Sequence, residues 1–333
     1  MKRVLGILLC FILRFTSMVG CGKGKKGFNL ACMTGGCSST DIEEYKNEVR
    51  QLSEAGFKYL DLSLYSFRDD SIWMQDDWEE RATELKEYAD EQGVTFIQSH
   101  LPSCNPLDKE LWESASSKYT IRAIEVCAAL GIENAVIHPG QADDLTEKEA
   151  YFFALSDALK VLFPTIEKYK VNLLIENSTR MFLGNKYNFY TGASLKEFLD
   201  YLDHPLVHAV WDTGHANVEG HQYEDIIALG SHLKGLHIHN NDGRDDQHRS
   251  PLMGNMDMDG IMKALVEIDY QGYFSLEVDN YDEIDIARCK AGTGKDAKFK
   301  YALQKMERYS DNPRKCLYEV TKEILIAYDM FAE

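Results

Sequence analysis

Six short apolar runs in this 333-residue chain end in residues that titrate or bind metals. Gln98-Ser99-His100 ends one, His138-Pro139-Gly140 a second and Glu176-Asn177-Ser178 a third. Asp212-Thr213-Gly214-His215 follows, then His237-Ile238-His239-Asn240-Asn241-Asp242, and last Glu277. Asp246 and His248 stand in the segment behind His239, and six of the ten histidines belong to this set. One strand-end histidine, taken alone, is most simply a satisfied structural group. Six consecutive ends of this kind are poorly explained by coincidence. Carboxylates and imidazoles packed so closely lose hydration and repel unless a cation joins them. A divalent metal is the simplest such cation. The mixed oxygen and nitrogen set favours Mn or Zn over Mg, and leaves Co open as well.

These side chains can meet only if the runs are strands that share one mouth. Apolar runs cover residues 28–32, 59–64, 95–99, 135–138, 172–176, 208–211, 235–239 and 273–278. Helix-like segments separate them at 41–55, 77–92, 111–130, 147–169, 194–202, 223–231 and 259–268, and a last helical region spans 298–331. Ser39, Thr40 and Asp41 are capping residue types directly before Ile42. Strand and helix alternating eight times predicts parallel βαβ units. Eight units close into a (β/α)8 TIM barrel, here with a C-terminal helical extension, whose active site lies at the C-terminal strand ends. An open doubly wound sheet would bind phosphate through a glycine-rich first turn, and Gly35-Gly36 is too little for that.

The array His100, His138, Glu176, Asp212-x-x-His215, His239, Asp246-x-His248 and Glu277 resembles the xylose isomerase-like barrels. That group includes sugar-phosphate isomerases and epimerases, inosose dehydratases and apurinic-site endonucleases of the endonuclease IV type. The segments from His237 to Pro251 and Trp211-Asp-Thr-Gly-His-Ala are its most specific parts. The resemblance implies a central metal held by Glu176, Asp212, His239 and Glu277, with Glu176 and Glu277 as the catalytic pair. It further implies that His100 and His138, with Glu176, match one additional metal site of the endonuclease branch. His215, Asp246 and His248 match another. His237, two residues before His239, points the same way one layer deeper, and reads equally as an interior histidine or a ligand.

The resemblance implies a metal-dependent isomerase or epimerase acting on a sugar, sugar phosphate or related polyol. His215 and Arg244 would hold substrate hydroxyls. Epimerases of the family place a Glu shortly after the strand-five ligand, whereas residues 177–182 here are Asn-Ser-Thr-Arg-Met-Phe. That departure counts against ketose 3-epimerisation specifically. Arg180 reads either as a contact for an acidic or phosphorylated substrate or as a loop salt bridge. Two alternatives stand beside the isomerase: an endonuclease IV-like phosphodiesterase, for which every ligand type is present, and a catalytically silent sugar-binding barrel.

The balance of 36 basic and 54 acidic residues, a net charge of −18, opposes a nucleic-acid partner, because the phosphate backbone must be met by cations. Eight scattered cysteines form no CxxC pair and read as small buried hydrophobes. Lys2 and Arg3 precede the apolar run 4–13, and Met18-Val19-Gly20-Cys21 resembles a bacterial lipoprotein cleavage site with Cys21 as the lipid-bearing residue. Arg14 interrupts that run, which is too short to span a bilayer. The other reading is a mis-assigned start or a tail. Residues 1–27 are thus set apart as a signal-like segment and linker, and 28–333 as one domain. The expected location is cytoplasmic, or exported and lipid-anchored if residues 1–21 are a working signal. The oligomeric state stays open, with a homo-oligomer as one option if the C-terminal extension covers a neighbour.

Overall fold

The computed structural model describes residues 27–180, 187–279 and 284–332. Eight strands appear in it: β1 (Leu30–Met33), β2 (Tyr59–Ser63), β3 (Thr95–His100), β4 (Asn134–Ile137), β5 (Asn172–Glu176), β6 (Val207–Asp212), β7 (Leu233–His237) and β8 (Phe274–Leu276). All pair in parallel, in the order β7-β6-β5-β4-β3-β2-β1-β8. The ring closes just past β7. Ile238 N donates to Ser275 O (2.8 Å) and Glu277 N to Ile238 O (3.1 Å). Closure removes the exposed edge, and neighbours around the ring follow the chain order, as the eightfold alternation predicts.

The helices form where apolar residues recur every three or four positions. In Ile42–Ala55 the buried residues are Ile42, Tyr45, Val49, Leu52 and Ala55. Asp41 caps it by accepting from Glu43 N, and Gly56, at φ 118°, ends it in a conformation that favours glycine. At the far end of the chain, Pro313–Ala327 packs beside this first helix. Arg314 Nη2 meets Glu48 Oε1 at 2.7 Å, Lys315 Nζ donates to Ala55 O at 2.8 Å, and Tyr318 lies edge-on to Phe57 with ring centres 5.1 Å apart. The chain then returns to its start, where Phe28 N donates to Met330 O at 2.6 Å and Ala332 N to Phe28 O at 3.0 Å. The extension therefore supplies an outer helix of the barrel itself.

Inside the barrel the strands stack in layers. Val136, Leu174 and Val210 are fully buried and form a separate apolar cluster. Two residues further along the same strands stand His138, Glu176 and Asp212. In a strand, residues two apart face the same way, so the polar set sits one layer above the apolar plug. Burying each plug residue contributes about 1.5–3 kcal/mol, a stable floor under an electrostatically expensive layer. The signal-like segment 1–21 and the linker up to residue 26 lie outside the described residues. Among the described residues, no helix is long and apolar enough to cross a membrane.

Candidate metal centre and active site

Glu176 ends β5 and Glu277 directly follows β8, and both side chains turn into the barrel mouth. His237, the last residue of β7, stands between them. Its Nδ1 is 2.9 Å from Glu176 Oε1 and 3.0 Å from Glu277 Oε2. Ligand-type atoms of Glu176, Asp212, His237 and Glu277 all lie within 4.8 Å of one another. His100 and His138 approach the other oxygen of Glu176, with Nε2 atoms 3.6 and 3.1 Å from Oε2. His100 Nδ1 lies 2.8 Å from Leu101 O and must donate to it, which leaves Nε2 facing the carboxylate.

Asp212 does two jobs. Its Oδ1 accepts from His215 N at 2.6 Å and so caps the short helix Thr213–Glu219, which fixes the carboxylate's direction. Its Oδ2 faces His239 Nε2 at 3.0 Å. A second group forms here from His239, Asp246 and His248. Asp246 Oδ2 is 2.9 Å from His248 Nε2 and 3.3 Å from His215 Nε2, and the rings of His239 and His248 stack with centres 4.0 Å apart. Asn240 and Asn241 bring this loop into place. Asn240 pairs with Arg249 across the loop and its side chain reaches Pro251 O and Met256 N, while Asn241 Nδ2 donates to Gly214 O. Gly214 has no room for a side chain: a Cβ there would stand 1.8 Å from His239 Cε1.

Above these groups opens a cavity of about 740 Å3, a size that suits a small molecule. His100, His138, Glu176, His215, Asp246, His248 and Glu277 line it, together with hydroxyl and amide groups such as Ser63, Ser178 and Asn188.

The sequence pattern that defines the xylose isomerase-like TIM barrels matches residues 49–308. The chain belongs to that family. An uncharacterized protein of Methanocaldococcus jannaschii is 30% identical over 169 residues, 47% of this chain and 55% of its own length. A probable ketose 3-epimerase of Synechocystis sp. is 29% identical over 217 residues, 61% of this chain and 71% of its own length. The chain spans about half the length of the first two curated relatives it matches, 55% and 56%. Among solved structures, the IolI protein with a bound zinc atom superposes with a TM-score of 0.64 at 16% identity, covering 91% of this chain and 100% of the other, a likeness of fold.

Within this xylose isomerase-like barrel the charges are strongly biased. Burial pushes Glu176 up, yet His237, His100 and His138 outweigh it and hold the carboxyl well below its ordinary range. Burial pulls His237 and His215 down. Glu277 and Glu176 raise the first, Asp212 and Asp246 the second, and both stay protonated well above their usual range. His248 is likewise carried up to about 10, with Asp246 overcoming burial. Even so, Glu176 Oε2 and Glu277 Oε2 face histidine nitrogens at 3.1 and 3.0 Å without a well-aligned hydrogen bond, and His239 Nδ1, Asp246 Oδ1 and His248 Nδ1 are buried and form none. Buried polar atoms of this kind are few in native proteins. Five in one mouth, all of metal-ligating type, fit a bound cation.

The resemblance assigned the central place to His239. In the structure His237 shares the cluster with Glu176, Asp212 and Glu277, while His239 touches Asp212 and joins Asp246 and His248. Arg244 lies exposed on the loop and does not line the cavity. Arg180 is engaged by Glu219, with Nε 2.7 Å from Oε2, which is the loop salt bridge. Three supporting residues were not singled out from sequence. Asn177 clamps β5 to β6, its Oδ1 accepting from Asp212 N (2.6 Å) and its Nδ2 donating to Asp212 O (2.9 Å). Its carbonyl lies 2.9 Å from His215 Nδ1 and accepts from it. Thr213 Oγ1 accepts from His239 N at 3.2 Å. Asp61 sits beneath His237. Its signal was available: a lone acid in the apolar run Tyr-Leu-Asp-Leu, where burial of a charge demands a partner.

Proposed function

We propose that this protein is a divalent-metal-dependent isomerase or epimerase of a sugar, sugar phosphate or related polyol. It works through an enediolate, with Glu176 and Glu277 as the acid/base pair. One observation carries the reading: the two carboxylates enter one cavity from β5 and from behind β8, each about 3 Å from the same His237 nitrogen. A sugar held between them offers one face to each. One carboxylate takes the proton α to the carbonyl and the other returns it, to the neighbouring carbon in an isomerase or to the opposite face in an epimerase. Glu176, held ionised, suits the base. His215, which lines the wall with its Nε2 beside Asp246, would hold a substrate hydroxyl. Glu176, Asp212, Glu277 and a β7 histidine would hold the ion, Mn or Zn by donor type. When bound, it supplies positive charge to the oxygens on which negative charge develops.

The probable ketose 3-epimerase among the relatives supports the reaction class. Asn177, Ser178, Thr179 and Arg180 behind Glu176 lack the acid expected of a 3-epimerase, so position 3 is not part of the proposal. A silent barrel would pair its ligand carboxylates with Arg or Lys; the partners among the described residues are histidines. A phosphodiesterase has one observation in its favour, the two additional ligand groups, and a charge of −18 against it. Metal analysis of the purified protein, then a screen of ketoses and inososes for α-proton exchange in deuterated water, tests the proposal. Metal-dependent exchange is expected. Phosphodiester cleavage with no exchange on any ketose or inosose would overturn it.

A further inference from the structure

Asp61 lies mid-strand in β2 and is fully buried. Its Oδ2 accepts from Gln98 Nε2 at 2.6 Å and faces His237 Nε2 at 3.2 Å, while Oδ1 has no partner. No described lysine or arginine forms an ion pair with it. Gln98 could satisfy a neutral acceptor equally well, so the amide does not account for a carboxylate at this depth. His237 does. The ring is pinned on both edges: Nε2 toward Asp61, Nδ1 toward Glu176 and Glu277. Its face is set by His100, stacked at 5.7 Å with planes 13° apart. The floor is shaped to admit this arrangement, since a Cβ at Gly235 would stand 2.3 Å from Gln98 Oε1.

We infer that Asp61 is a positioning residue that keeps the Nε2–H of His237 directed into the barrel floor and presents Nδ1 to the space shared with Glu176, Asp212 and Glu277, making His237 a ligand there. The inference rests on the metal-dependent reading above. A carboxylate behind a metal-binding histidine fixes its tautomer and strengthens its donor nitrogen, and loss of such a partner weakens metal affinity about 10–100-fold.

The test is Zn2+ affinity, by chelator competition without any sugar, in wild type, Asp61→Asn, His237→Asn and the double variant. Asp61→Asn should weaken binding about 10–100-fold. Once His237 is gone, adding Asp61→Asn should change nothing further, because Asp61 acts through that ring. An affinity in Asp61→Asn within about twofold of wild type, or losses that multiply in the double variant, would overturn the inference. Should the Asp61 variant fail to fold, 15N spectra of the zinc-loaded wild type still decide. Ligation through Nδ1 with a proton on Nε2 is expected, and ligation through Nε2 or a metal-free His237 ring overturns it. A wild type that binds zinc yet exchanges no α-proton would remove the proposed reaction and leave this inference standing. Unchanged affinity in Asp61→Asn would do the reverse.

Discussion

At the scale of single residues, the site holds histidines and carboxylates that neutralise one another when no ion is present. His248 is raised to about 10. The stability it draws from Asp246 is therefore complete below its unfolded value of about 6.5 and fades as pH climbs toward 10. Glu176, Asp212 and Asp246 are lowered. Their share is present above an unfolded value of about 4 and fades in acid. The metal-free protein should thus be most stable between about pH 5 and 6.5, with a calorimetric Tm that falls from pH 7 to 9. A Tm that rises across that interval would contradict the ion pairs described. Metal affinity should run the other way and increase over the same interval, because the ligating histidines must first give up protons.

Most of these residues were legible in the sequence, because each ends an apolar run and the ends of parallel strands must meet. The depth of His237 against His239 was not. Both face inward by the same period of two. Which one stands between Glu176 and Glu277 depends on how β6 and β7 shift register at Ala209 and Val210, and on closure at Ile238. Arg244 was placed by resemblance alone, and a loop carries no period that would fix where its side chain ends.

At the scale of elements, the strands were readable from alternation and the longer helices from spacing and caps. The helix Thr213–Glu219 was not, since seven residues beginning Thr-Gly-His look like a loop. It exists because Asp212 caps it and Gly220, at φ 86°, ends it. The interior layers carry a sharper expectation. Gly235 faces Gln98 and Leu174, whose Cδ1 would lie 2.8 Å from an added Cβ. Gly235→Ala should cost about 1–3 kcal/mol by overpacking, read as a lower urea midpoint. An unchanged midpoint would mean that the floor yields without strain.

At the scale of the whole molecule, the barrel closes on itself through its C-terminus. Phe28 pairs with Met330 and Ala332, so the described barrel is tied together from residue 28. A chain starting at Gly27 should fold and keep the activity of the full chain. Loss of solubility in that truncation would assign the signal-like segment to the core.

The central claim, that two carboxylates pass a proton across a bound sugar, is tested most directly by α-proton exchange in Glu277→Gln beside His248→Ala, with metal content measured in both. Glutamine keeps an oxygen ligand but loses the base, so exchange by Glu277→Gln should fall about 10²–10⁴-fold, or further if metal is lost. His248→Ala should fall much less, since in the isomerase reading His248 supports the loop and the substrate rather than the reacting carbon. Equal and severe losses in both variants, measured on a phosphodiester, would contradict the isomerase and point to a hydrolase that needs all of its ligand groups.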